Sequence, residues 1–565
     1  MKNATLLTVT TVLLLGALAL TAAIKPWSGA GTDDNWSTAA NWASGIPGAS
    51  DEACFQNGGS TATLDVNPVI LMSSISNGSF TINSPAGTTG TISFTGNVNP
   101  QRYIVQRAGD NTHSNSGDRI FNCRITLPAV SAAWCDRQLM MFEYATPNLK
   151  ANNVGPENFI FNGDVILGAR SLSGAGREWV DFQAYIGTEP PNCIFNGHIF
   201  SSNSLNRAFV FNAGMDVVFA LNNSNYLNAG YFELRTQYDW KNGTLLVNHD
   251  HALDSSRNEF DINNDDGEPA SPRILRAYLG KSGLTVKPNV MIRNGQYTYF
   301  GSAFEGGTST WAGYVYLHTV DTITNALPVY FENVSNCVTR FDGPIRDYIE
   351  QPNLRPVVVR GLGTIIWSGL NRVMGAINVE PPMTLLVNSP DLGTNAFGYG
   401  NITVKTSVAD PARLGGTGVI GNNFTSPTVV SIEDGSTLVP GASVGTLTLT
   451  NATLAFSPTA MLDVELGALS SGAFDRVSVF GDVTLDGIVN VTGLPDVEGG
   501  LYPILSYSGI ATDNEMVLGT VSLPPGYLAT LVHSNAVQQV FLDVVVPEPG
   551  LMGLAILAML GVRRR

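Results

Sequence analysis

Residues able to do chemistry are sparse in this chain and fall into three short stretches. In FDINNDDGE (Phe260–Glu268), Asp261, Asn263, Asp265, Asp266 and Glu268 are hard oxygen donors of the kind that hold calcium. The spacing is not that of an EF-hand loop: Gly267 falls at position seven instead of six, and Pro272 stands where the closing Glu belongs. A solvated acidic loop is therefore expected, with Ca2+ as its one weak cofactor candidate. With Arg273 or Arg276 as a nearby base, the same loop would serve a polysaccharide lyase. In VNHDHALD, an extended strand would put His249 and His251 on one face and Asp250 on the other, a pair that needs a third ligand to hold a metal. The related stretch VNSPDLG has neither His, so a surface pair is expected. His198 in FNGHIF adds the imidazole of a pectinase-like hydrolase, but it precedes the acidic cluster, and Arg273–Leu275 lacks the final Lys of the usual basic motif. GGTGVIG (Gly415–Gly421) has no strand-turn-helix setting and is not a phosphate loop. No catalytic residue and no metal site is assigned, and a non-catalytic protein is expected.

Composition narrows the class. The chain has 565 residues, of which only 13% are charged and 44% hydrophobic, with 59 glycines and a net charge of −16. The apolar content supports a core, and the acidic balance argues against nucleic acid or an anionic membrane surface as partner. The five cysteines, Cys54, Cys123, Cys135, Cys193 and Cys337, include no CxxC pair. Buried thiols are expected; a Cys123–Cys135 disulfide is compatible with an oxidising compartment, though an odd count means the fold does not depend on a disulfide framework.

Apolar runs of four to six residues, rich in Val, Ile, Phe and Thr, are broken by Asn-Gly, Asp-Gly, Gly-Gly or Pro, the pattern of an all-β chain. TLLVN occurs twice, at Thr244–Asn248 and Thr384–Asn388. A looser unit recurs in IFNCRITL, FIFNGDVIL, CIFNGHIF and FVFNAGMDVVF, and in degenerate form at Phe341–Ile345. Its Asn suits a tight corner between strands. The corner candidates Asn122, Asn162, Asn196 and Asn212 are 40, 34 and 16 residues apart, irregular as in a solenoid with insertions. The reading is a right-handed parallel β-helix. From residue 414 to Val562 the only Lys or Arg is Arg476, and the text reads as regular coil; after Phe474, Gly481-Asp482 and Asp486-Gly487 suggest antiparallel hairpins capping the stack.

The two ends are hydrophobic. Residues 1–23 combine Lys2, an apolar stretch to about Leu20 and small residues at Thr21–Ala23, the order of a signal peptide cut near Ala23, which implies Sec export. At the other end Pro547, Glu548 and Pro549 precede an apolar run, Gly550–Val562, and then Arg563, Arg564 and Arg565. That run would make a helix about 20 Å long against a bilayer core of about 30 Å. Short hydrophobic helices are expected only at these termini. The resulting organisation is 1–23 signal peptide, 24–205 β-rich start of the coil, 206–474 parallel β-helix, 475–545 β cap and 546–565 tail.

These stretches carry a resemblance. Gly363–Gly445, and earlier Asp216–Asn248, resemble the autotransporter-associated β-strand repeat, and WSGAGTDDNWSTAANWASGIPGASDEACF is similar to the start of large bacterial surface proteins of that type. The tail resembles the PEP-CTERM sorting signal. The resemblance implies an exported surface or extracellular-matrix protein of a Gram-negative-type bacterium, structural or adhesive, with exopolysaccharide as a contact. It also implies a precursor tethered in the inner membrane, with the arginines cytoplasmic, and an exosortase-type protease that recognises Glu548 and its flanking prolines. A C-terminal membrane barrel of the autotransporter kind is not expected after residue 475. The alternative is a β-helix lyase or glycoside hydrolase acting on extracellular polysaccharide.

Overall fold

Strands of alternating burial can share one core only if successive strands stack side by side, and here they do so in parallel. The computed structural model describes residues 23–546 except for intervening stretches, the longest being 108–117, 129–136, 144–157, 169–177, 183–191, 264–273 and 319–326. The fold is an all-β parallel solenoid of about 13 turns with a small antiparallel sheet at its C-terminal end. The helical elements described are single turns such as Ala39–Asn41 and Leu469–Ser471. Among the described residues no helix is long and apolar enough to cross a membrane. Residues 1–22 and the tail with Pro547, Glu548, Pro549, Arg563, Arg564 and Arg565 lie outside the described residues.

One column holds twelve strands, from Ala23–Trp27 to Ile345–Asp347, and a second face holds six, from Val69–Ile70 to Tyr226–Leu227. Inward residues stack on their equivalents one rung away. Phe121, Phe161 and Phe195 are in register and stack with centroid separations of 5.0 and 4.9 Å, close to the ~4.8 Å strand spacing, and Phe80 and Phe55, from other register positions, continue the row at 5.2 and 5.1 Å. Three indoles pack together within the first described coil. Trp27 and Trp36 each pack against Trp42 at 4.9 and 4.7 Å, Trp42 Nε1 donates to the Trp36 carbonyl at 2.8 Å, and all three rings lie near Phe55.

The expected corner asparagines are present and form a ladder. The side-chain amide of Asn122 donates to Asn83, Asn162 to Asn122, Asn196 to Asn162, Asn222 to Asn196 and Asn248 to Asn222, at 2.6–2.7 Å. The steps are 39, 40, 34, 26 and 26 residues, so the coil tightens as it proceeds. Asn212 is not a corner: it is buried within the strand Ala208–Ala213, and Asn222 takes its place in the ladder. Phe341–Ile345 does form a corner, with Gly343 directly over Gly313. The two TLLVN copies do not stack. The first pairs with Val217–Leu221 and Ile274–Leu279, the second with residues 364–367 and with Arg413–Gly416, on a different column.

The hairpins expected after Phe474 are absent. Arg476–Phe480, Val483–Leu485 and Ile488–Gly493 pair in parallel with strands of the preceding coil, so Gly481-Asp482 and Asp486-Gly487 are solenoid corners. Parallel pairing continues to Ser522. Among the described residues, antiparallel pairing of whole strands occurs at Gln539–Val545, which joins Gly500–Tyr507 to Leu528–Ser534, and elsewhere only as single bridges such as Gly416 with Gly441. Cys54, Cys123, Cys193 and Cys337 are free, buried thiols, and Cys135 lies outside the described residues. Burial pushes the Cys123 thiol up to about 12.

Two substitutions probe the corner. At Gly163 a Cβ would overlap the Cys123 carbonyl, whereas Asn162→Ala removes two amide hydrogen bonds, about 2 kcal/mol at ~1 kcal/mol each. Gly163→Ala is expected to destabilise more than Asn162→Ala. Hydrogen exchange should show protection lost over 119–201 and retained over 428–507, because coils contact only their neighbours.

Candidate functional site

The structure separates the residues that the sequence groups together. Asp261 and Asn263 lie on Glu259–Asn263 in the twelve-strand column; Asp265, Asp266, Glu268 and Arg273 fall outside the described residues. Asp261 is 2% exposed, and its Oδ2 accepts from Arg293 Nε at 2.9 Å. Burial raises its carboxyl above the ordinary carboxylate range, against the pull of Arg293. Asn263 gives its amide to Glu233 at 3.3 Å. These are contacts of a buried charged cluster that also includes Arg235, 3.9 Å from Glu233. Arg276 belongs to another face: it caps the Tyr299 ring at 5.4 Å, in a pile where Tyr299 and Tyr330 stack at 4.5 Å and Arg360 pairs with Glu332 at 3.0 Å. The cation that faces Asp261 is therefore Arg293, not Arg276.

The two histidines are not on a strand. The strand Asn242–Val247 ends before the corner at Asn248, and His249–Leu253 form a turn. There His251 N donates to His249 Nδ1 at 3.1 Å, and His251 Nδ1 lies 2.7 Å from Asp254 Oδ2. His198 sits at a different corner, its Nδ1 2.7 Å from the Ser224 carbonyl. Among the described residues no cluster of three or more His, Cys, Asp or Glu is arranged to hold a metal ion.

A concave site among the described residues falls on none of these stretches. A groove of about 520 Å3 runs along the outward face of the later coils, lined by Thr384, Leu386, Arg413, Asp463, Glu465, Asp475, Asn490, Thr492 and Thr520, with Val439–Gly441 and Ser443 as one wall. Its floor follows the ladder. Leu386 is in register with Gly415, Gly415 with Val439 and Asp463 with Asn490, and the Thr520 amide donates to Asn490 Oδ1. The cause of the opening is local. Thr437–Pro440 pairs with Arg413–Gly416 over all four residues, but with Met461–Leu466 only at Thr437 and Leu438. Pro440 has no N–H for the ladder. Gly441, at φ +85°, then turns the chain aside through reciprocal backbone bonds with Gly416.

The groove is acidic and pre-formed. Asp463 Oδ1 accepts from Asn490 at 2.8 Å and Oδ2 from Arg413 at 3.4 Å, while Glu465 Oε2 accepts from Ser443 at 3.2 Å. Asp475 ties its walls: Oδ1 accepts from the Gly445 amide and Oδ2 from the Glu465 amide, each at 2.8 Å. Burial pushes the Asp475 carboxyl up to about 7, against those two donors. Both oxygens of Asp463 and both of Asp475 are thus engaged. No sequence motif marks this site, because its lining comes from six rungs.

No family model matches the chain. A stretch of 109 residues, 18% of the chain, is 36% identical to the adhesin BmaC autotransporter of Brucella suis biovar 1 (strain 1330). The match spans 3% of that relative's length. This partial likeness to an autotransporter adhesin and the parallel solenoid both fit the resemblance to autotransporter-type β-strand repeats.

The buried carboxyls set a pH dependence. Asp475 and Asp347 titrate at about 7 and about 6 in the fold, both raised by burial from 3.8. The stability they contribute is complete below about pH 4 and is lost as pH rises through 6 to 7. The melting temperature is expected to fall between pH 4.5 and 7.5. Asp475→Asn should flatten that slope in thermal melts across the range.

Proposed function

We propose that this is an exported, non-catalytic structural or adhesive protein of the cell surface or extracellular matrix. The observation that carries the reading is a parallel stack that runs, among the described residues, from Ala23 to Ser522, in a chain whose partial sequence likeness is to an adhesin. A stack of this kind is a stiff support that offers long lateral faces, and such faces suit contact with exopolysaccharide. We further propose that the chain leaves the cytoplasm through Sec, is held in the inner membrane by Gly550–Val562, and is released by an exosortase-type protease acting at Pro547–Pro549. Arg563–Arg565 would then stay on the cytoplasmic side.

One observation favours a second reading, a polysaccharide hydrolase: Asp463, Glu465 and Asp475 share a groove, and Asp475 holds its proton to about pH 7. The engagement of both oxygens in Asp463 and Asp475 supports binding over proton transfer.

Peptide mapping of the protein recovered from its own cells and medium tests the sorting. A mature form ending near Pro549 outside the inner membrane is expected; an intact Arg565 found only in that membrane would reject it. Incubating the 25–545 body with acidic and neutral polysaccharides, with and without calcium, should yield no new reducing ends and no unsaturated products.

A further inference from the structure

We infer that the groove between Thr384 and Thr520 binds a linear, uncharged polysaccharide laid along the solenoid axis; this rests on the adhesive reading above and names its ligand class. Three observations lead there.

The first is shape. The floor positions Leu386, Gly415, Val439, Asp463, Asn490 and Thr520 come from six successive rungs, and five spacings of ~4.8 Å make the groove about 24 Å long. One rung spacing is roughly the length of a pyranose residue, so a chain of several sugars is matched where a monosaccharide would fill only a fraction.

The second is charge. Asp463 and Glu465, with Asp475 behind them, outnumber the single cation, Arg413, which is already spent on Asp463. A uronate or sulfated chain would meet like charge where it crosses the Asp463 and Glu465 rung, in the middle of the groove. A neutral polyol meets carboxylate acceptors and the donor-acceptor groups of Thr384, Ser443, Asn490, Thr492 and Thr520. The carboxylates are held by Asn490, Arg413 and Ser443 before any ligand arrives, which lowers the ordering cost of binding.

The third concerns the backbone. The floor strands hydrogen-bond to their neighbours in the column, and what faces the groove is the side-chain surface of the sheet. An extended peptide binds by adding to an unpaired strand edge, and the edge that Met461–Leu466 loses where Thr437–Pro440 departs is already taken at Glu465, whose N–H donates to the Asp475 carboxylate and whose carbonyl accepts from the Asp475 amide. That favours a ligand recognised through hydroxyl groups over a polypeptide.

The test is affinity electrophoresis of the purified 25–545 body through gels containing soluble starch, laminarin, galactomannan or polygalacturonate. Retardation by at least one neutral polymer and none by polygalacturonate is expected, little changed by added salt. Asn490→Trp or Thr384→Trp, which fill the groove at two separate rungs, should weaken that retardation at least tenfold with an unchanged circular dichroism spectrum. Tyr299→Ala, on the Arg276 face, should leave it intact. Hexasaccharides of the bound polymer should compete, and disaccharides should not. Retardation by polygalacturonate alone, retardation indifferent to both Trp variants, or no retardation by any of the neutral polymers would overturn the inference. Surface location and adhesion of the intact protein, measured on cells, would then still decide the adhesive reading separately.

Discussion

Everything in this fold depends on parallel strands held in register about 4.8 Å apart, so that each residue lies against its own equivalent in the next coil. The constraint selects side chains that tolerate themselves as neighbours. Phenylalanine stacks, as in Phe121, Phe161 and Phe195. Asparagine carries one acceptor and one donor group, so a corner of asparagines can hydrogen-bond from rung to rung without an unsatisfied member inside the row. Like charges in register repel, which accounts for a chain with only 13% charged residues. Several charges that face the ladder meet an opposite charge on another rung, as in Arg293 with Asp261, Arg360 with Glu332 and Arg413 with Asp463, and where two carboxylates do stand in register, Glu233 against Asp261, Arg235 and Arg293 lie beside them.

The same constraint governs how far the sequence could be read. Strand alternation and the Asn corner are local, and both were legible. Asn83, Asn222 and Asn248 were not, because their flanking residues lack the aromatic-Asn text; only register places them in the ladder. Asp486-Gly487 illustrates the converse: Gly487 has φ +84°, and a hairpin turn and a solenoid corner demand the same left-handed backbone. What separates them is a partner strand about one coil away, which no short window contains. The pair His249 and His251 failed for a similar reason. Alternation was extended past Asn248, where the ladder bends the chain into a turn.

The groove marks a place where the constraint is relaxed. Pro440 and Gly441 release one strand from its successor, and the space between them is kept polar by side chains that hold one another. Its parts, Arg413, Asp463, Glu465, Asn490 and Thr520, are dispersed over more than a hundred residues and share no spacing that a motif would capture. The acidic loop at 261–268 drew attention because its carboxylates are adjacent in sequence, yet the described member Asp261 serves a buried ion pair.

The tryptophan cluster within the first described coil has a consequence for how the molecule comes to be folded. Trp27, Trp36 and Trp42 give that coil a finished apolar surface made from nearby residues, whereas every later coil borrows its floor from the one before. A chain emerging amino end first can therefore build its own template and extend it one coil at a time, with the antiparallel strands around Gln539–Val545 arriving last as a lid. The two ends are unequal in this respect. Losing the lid exposes only the final coil, while losing the indoles removes the seed on which the order of assembly rests.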